Sequence, residues 1–156
     1  MAVPPPSPVK IEVINAVRAP VVAARLRSVI NRAARLPEIA ARIPAGMQTL
    51  AVRLTDDAEL RRLNRDFSAE DAVTDVLSFQ GDDSHLGDLA ISWSAVERQA
   101  AGHGHPPATE LALLSVHGFL HLLGWDHATA SEHREMTRVT VAALRESGLE
   151  LAPGRL

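Results

Sequence analysis

Val116-His117-Gly118-Phe119-Leu120-His121-Leu122-Leu123-Gly124-Trp125-Asp126-His127 is the stretch on which the reading of the whole chain turns. His117 and His121 stand four residues apart in a run of helical composition, so their imidazoles leave one face, a turn apart. Gly124 can take a left-handed conformation without Cβ strain, which ends the helix and folds the chain back to bring His127 alongside. Three imidazoles are thus expected to converge on one metal ion. Neutral imidazole binds zinc at about 2.0–2.1 Å, and three protein ligands with a fourth position open is the catalytic arrangement. Leu111, Leu113, Leu114, Val116, Leu120 and Leu122 leave this helix, expected from about Ala108 to Leu123, apolar almost all round. It is therefore expected to be buried, and a buried helix is a rigid base for ligands.

Working outward, Lys10–Ile14 and Thr49–Leu54 alternate apolar and polar as half-buried strands do. Val22, Leu26, Val29, Ile30 and Ala33 form one apolar stripe over a helix from Val21 to Leu36, broken by Pro37 and Pro44-Ala45-Gly46. Asp56 with Glu59, Ser94 with Glu97 and Thr129 with Glu132 have capping-box spacing and predict three further helix starts. Thr74–Phe79 and Leu86–Ser92 read as a hairpin joined through Gly81–His85. The order predicts an α+β fold: one domain, a small mixed four-stranded sheet packed with about five helices, and the metal site on a central buried helix and the turn after it. Residues 1–9 are expected to be a disordered proline-rich lead-in, residues 10–150 a single metal-dependent hydrolase-like domain, and residues 151–156 a tail.

At 156 residues and 46% hydrophobic, the chain suits one domain with a substantial core. No long apolar run or secretory leader is visible, so no membrane is expected as partner and the cytoplasm is the expected setting. With no cysteine, a tightly held transition metal must rely on histidine and carboxylate. The net charge of −3 is unevenly spread: residues 1–54 carry eight basic and two acidic side chains, +6, leaving −9 for the remainder. Such asymmetry suits either an anionic partner or a solvated helix face. Arg25 and Arg32, seven apart, share a face where they can meet phosphate or cover the edge of the apolar stripe with their stems.

The remaining histidines read as ordinary surface residues. His103 and His105 lie in a Pro/Gly loop, where adjacent imidazoles could chelate weakly but loop histidines usually face water; His85 sits in a hairpin turn with no evident partner; His133 is a rival for third ligand, but it falls within the last helix and lacks the turn that brings His127 round. Asp126 has two readings, orienting a ligand imidazole or satisfying turn backbone donors. Trp125 reads as packing. The histidine spacing is that of the H-E-x-x-H-x-x-G-x-x-H metalloproteases, except that Gly118 stands where they have glutamate. Peptide hydrolysis uses that glutamate to move a proton from water to the leaving amine. Phosphodiester cleavage in RNA asks less of the protein when zinc polarises the phosphoryl oxygen.

His117-Gly118-Phe119-Leu120-His121-Leu122-Leu123-Gly124-Trp125-Asp126-His127, preceded by Thr74-Asp75-Val76-Leu77-Ser78-Phe79 and Leu86-Gly87-Asp88-Leu89-Ala90-Ile91-Ser92, resembles the YbeY family of bacterial rRNA maturation factors. Leu63-Asn64 and Met136 also match in place and spacing. The resemblance implies a zinc-dependent single-strand endoribonuclease acting in 16S rRNA 3′-end maturation and ribosome quality control. It implies one zinc ion held by His117, His121 and His127, and as partners rRNA and the small ribosomal subunit. The family carries a basic residue where this chain has Ser68; Arg61, Arg62 or Arg65 on the preceding helix are near enough in sequence to substitute for it. Candidate RNA contacts are accordingly Arg25, Arg32, Arg61 and Arg65, and no residue is assigned as general acid or base. An alternative is a non-catalytic rRNA-binding assembly factor with a structural zinc. A zinc peptidase ranks third, disfavoured by Gly118.

Overall fold

A computed structural model describes residues 9–67 and 75–156; Met1–Pro8, Ser68 and Thr74 lie outside the described residues. The elements run β1 (Lys10–Asn15), α1 (Ala23–Ala33), α2 (Pro37–Ala40), β2 (Thr49–Thr55), α3 (Asp57–Phe67), β3 (Val76–Gln80), β4 (His85–Ser92), α4 (Trp93–His103), α5 (Pro107–Leu122) and α6 (Ala130–Arg145). This is the α+β architecture expected, with the four-residue α2 added where Pro37 supplies a first helical position.

The sheet order is β1-β2-β4-β3, with β1–β2 and β2–β4 parallel and β3–β4 antiparallel. The register places Ile11 beside Leu50, Val52 beside Leu89, and Leu54 and Val76 both beside Ile91. One face of the sheet is thereby apolar. Against it lies α5, which also packs on α1, α4 and α6. Val116, Phe119 and Leu120 are fully buried, as the near-continuous apolar surface of this helix requires. Burial of each such side chain stabilises by about 1.5–3 kcal/mol.

The caps follow local chemistry. Asp56 Oδ1 accepts from the Glu59 backbone N–H at 2.8 Å, and Thr129 Oγ1 from that of Glu132 at 3.1 Å. The helix expected to open at Ser94 instead opens at Trp93, because Ser92 Oγ takes the Ala95 N–H at 3.2 Å. α4 ends at Gly104, in a left-handed conformation.

Gly118 is explained by packing. A Cβ there would stand 2.8 Å from Leu89 Cδ2 and 3.2 Å from Ser78 Oγ. The Ser78 hydroxyl donates to the Gly118 carbonyl at 3.2 Å, and Gln80 Nε2 to that of Leu122 at 3.1 Å. β3, at the margin of the sheet, therefore lies close along the histidine-bearing half of α5.

Candidate metal centre

His117 and His121 occupy the last turns of α5, their ring centroids 4.7 Å apart. The helix then stops in the geometry that Gly124 makes possible. Gly124 has φ +99°, its N–H donates to the His121 carbonyl at 3.0 Å, and the Trp125 N–H donates to the Leu120 carbonyl at 3.1 Å. These two bonds form a Schellman motif, which satisfies carbonyls that the helix end would leave open. Trp125 turns inward and the Arg42 guanidinium covers its ring, 3.6 Å from the centroid. His127 is thereby returned to the helix, its ring centroid 5.7 Å from His117 and 5.0 Å from His121. One nitrogen from each of the three imidazoles lies within 4.8 Å of the others. Such a set fits a cation that prefers nitrogen donors. Among the described residues no fourth histidine or carboxylate joins the cluster.

The electrostatics favour neutral imidazoles, the form that binds metal. Burial pushes His117 down to about 4, assisted by the charges of His121, His127 and Arg155 and opposed by Asp75. His121 is lowered by burial and by His127, against Asp126 and a hydrogen bond with the Trp125 backbone. His127 is exposed, so the cluster opens to solvent on its side. Asp126 takes the turn role: its Oδ1 accepts the His127 backbone N–H at 2.7 Å, although its charge still reaches His121.

Two of the histidines read as surface residues prove to have partners. His85 Nδ1 lies 2.6 Å from Thr49 Oγ1, and its Nε2 lies 3.3 Å from Asp88 Oδ2. The His105 side chain is only 4% exposed. Its Nε2 accepts the Ala152 N–H at 2.5 Å, which requires Nδ1 to carry the proton it shares with Glu110 Oε2 at 3.1 Å. His133 is exposed and apart from the cluster.

Glu110 anchors a network that sequence reading missed. It is fully buried, and Arg155 grips it from the C-terminal segment, Nε donating to Oε1 at 2.9 Å and Nη2 to the same oxygen. Burial alone would push the Glu110 carboxyl up; hydrogen bonds from Arg155 and His105 outweigh it and hold the group below the ordinary carboxylate range. Arg155 Nη2 also donates to Gln99 Oε1 at 2.9 Å, and Gln99 Nε2 donates to Asp75 Oδ2 at 2.7 Å. Residues 151–156, expected as a tail, thus bring Arg155 onto Glu110 and Gln99. The contact spans 45 positions, so no local pattern announces it.

Of the four arginines expected to meet RNA, Arg61 and Arg65 are exposed on α3, with Arg65 Nε 3.5 Å from Asp66. Arg25 and Arg32 line an apolar groove of about 640 Å³ with Val21, Leu26, Trp93 and Leu111. The groove meets α5 around Ala112, nine residues and so about 14 Å along the helix from His121.

Residues 13–148 match the family described as Endoribonuclease YbeY. The Endoribonuclease YbeY of Chloroflexus aggregans is 45% identical over 129 residues, covering 75% of this chain and 84% of the relative. That of Moorella thermoacetica is 41% identical over 138 residues, covering 80% and 88%. The solution structure of a Thermotoga maritima protein, 24% identical, superposes with a TM-score of 0.57 over 87% of each chain and shows the same fold. A match over most of its length, with relatives of this identity, shows that the chain belongs to the YbeY endoribonuclease family.

Proposed function

We propose that this chain is a metal-dependent endoribonuclease that cleaves single-stranded RNA, with one zinc ion held by His117, His121 and His127. The observation that carries the reading is the convergence of three imidazole nitrogens within 4.8 Å, two of them from neutral, half-buried rings and one at the solvent side. When bound there, zinc supplies Lewis acidity toward a phosphoryl oxygen and a nucleophile at neutral pH. His117 and His121 hold their places because α5 is packed on every side; His127 holds its place through the Gly124 turn. Gly118 presents no carboxylate to the cleft, and a side chain there would force Leu89 or Ser78 to shift. That supports phosphodiester over peptide chemistry.

Family membership supports rRNA as the substrate, with 16S rRNA 3′-end maturation and quality control of the small ribosomal subunit as the setting, in the cytoplasm. No helix among the described residues is long and apolar enough to cross a membrane. Arg61 and Arg65, on the helix that contacts β3 and β4, are proposed as phosphate contacts near the cleft. Arg25 and Arg32 would serve a strand that extends along α5 toward the far groove.

The test pairs elemental analysis with cleavage of a single-stranded RNA by wild type and His121→Ala. About one zinc per chain and cleavage are expected in the wild type, and neither in the variant. Cleavage that survives in carefully metal-stripped protein would overturn the reading. Charge removal at Arg61 and Arg65 should weaken RNA binding and flatten its salt dependence.

A further inference from the structure

We propose that Phe67 and Phe79 form the platform on which an unpaired base of the RNA stacks, which makes them the residues that select single-stranded RNA over duplex; this rests on the RNA-cleaving reading above and gives it a determinant of specificity.

The two rings meet on the face of β3 turned away from α5. Ser78 and Gln80 send their side chains to the Gly118 and Leu122 carbonyls of α5, at 3.2 and 3.1 Å. Strand residues alternate between faces, so Leu77 and Phe79 lie on the other side. There the last residue of α3, Phe67, brings its ring centroid to 6.2 Å from that of Phe79, with the planes 84° apart. This edge-to-face arrangement is one that aromatic pairs prefer. It holds the Phe67 ring without covering it, for Phe67 is 71% exposed. Elsewhere the chain spends its few aromatic side chains on the core: Phe119 and Trp125 are both buried.

α3 also supplies the charge that a base brings with its backbone. Glu59 is paired with Arg53, and Asp57 with Arg98. The last two turns therefore present Arg61, Arg62 and Arg65 against the single carboxylate of Asp66. Cationic side chains beside an open aromatic ring are the combination that holds single strands, the cations following phosphates while the ring takes the π-face of any base. A duplex keeps its bases stacked on one another and offers such a surface only its backbone. β3 is the outermost strand of the sheet. Its side chains bond the carbonyls of Gly118 and Leu122, the residues that follow His117 and His121. A single strand that crosses the margin of β3 thus passes from the rings to the histidine cluster.

The experiment compares full-length wild type, Phe67→Ala, Phe67→Trp and Phe79→Ala. Metal-loaded protein is assayed for cleavage of single-stranded and duplex RNA; metal-stripped protein is titrated against a single strand carrying a fluorescent adenine analogue whose emission is quenched by stacking. Phe67→Ala is expected to raise KM for the single strand roughly tenfold, with kcat moving far less, and to lower the preference over duplex by about the same factor. Quenching on binding should appear with wild type and Phe67→Trp and vanish with Phe67→Ala. The salt dependence of binding should keep its slope in Phe67→Ala, since no charge is lost. Phe79→Ala, which only positions the Phe67 ring, should cost about threefold. The thermal midpoint of Phe67→Ala should match wild type, so that variant carries the test if Phe79→Ala fails to fold. An unaltered KM with quenching retained in Phe67→Ala, or equal losses on single strand and duplex, would overturn the platform and leave the nuclease reading intact. Quenching that depends on Phe67 in a chain that cleaves no RNA would sink the nuclease reading and leave the platform standing. A wild-type chain that binds no single-stranded RNA would overturn both.

Discussion

Near the N-terminal end of α5, Glu110 is buried where Arg155 and His105 reach it; two turns on, His117 and His121 are partly buried facing His127. The first cluster joins opposite charge and complementary hydrogen-bonding groups. The second gathers three bases. Burial opposes charge in both places, yet the outcomes differ: Glu110 stays ionised because donors surround it, whereas His117 is driven neutral because desolvation and the neighbouring imidazoles and guanidinium agree. A polar cluster that completes itself supports the fold. One that gathers lone pairs is suited to a ligand.

The comparison can be broken most forcefully at Glu110. Glu110→Ala leaves Arg155 without its buried partner and should cost roughly 3–5 kcal/mol. The measurement is chemical denaturation of the metal-free chain, and a loss below about 1 kcal/mol would mean the cluster is not structural. His121→Ala in the same assay should cost far less, since it removes no completed pair.

A middle-sized effect is expected at Gly118. Gly118→Ala forces Leu89 or Ser78 to shift and should destabilise by about 1–3 kcal/mol. Gly118→Glu should cost more and confer no peptidase activity on an unstructured protein substrate, as its side chain enters the layer between helix and sheet.

At neutral pH the last contrast costs nothing, and it emerges only on acidification. In metal-free protein His117 should titrate near pH 4 by histidine NMR. Its folded value lies below the unfolded one of about 6.5, so the unfolded chain binds more protons between those values. Its contribution is present above pH 6.5 and lost as pH falls toward 4. A His117 resonance that titrates near 6.5 would remove the contrast between the two clusters.

Much of this was legible in the chain. The alternation of Leu50, Val52 and Leu54 marks a strand through local periodicity, and the His117–His121–Gly124–His127 spacing encodes a helix, a stop and a return within eleven residues. These features need only neighbouring residues. What escaped depends on distant ones. His105 looks like a loop histidine until Glu110 and Ala152 close over it, and Arg155 looks like a tail residue until Glu110 is placed beneath it. Gly118 was legible as an absent base. Its positive reason, close approach to Leu89 and Ser78, exists only once β4 and β3 lie against α5.

The turn at Gly124 has a kinetic consequence. The Schellman bonds and the Arg42–Trp125 stack already hold His127 beside the other two rings, although His127 is exposed. Uptake of a cation then requires little ordering of the chain, and preorganisation of this kind lowers the entropic cost of binding. The rate of uptake should accordingly follow how readily the incoming ion sheds its water, faster for loosely hydrated divalent cations than for tightly hydrated ones, and should show no phase that reports refolding of the turn.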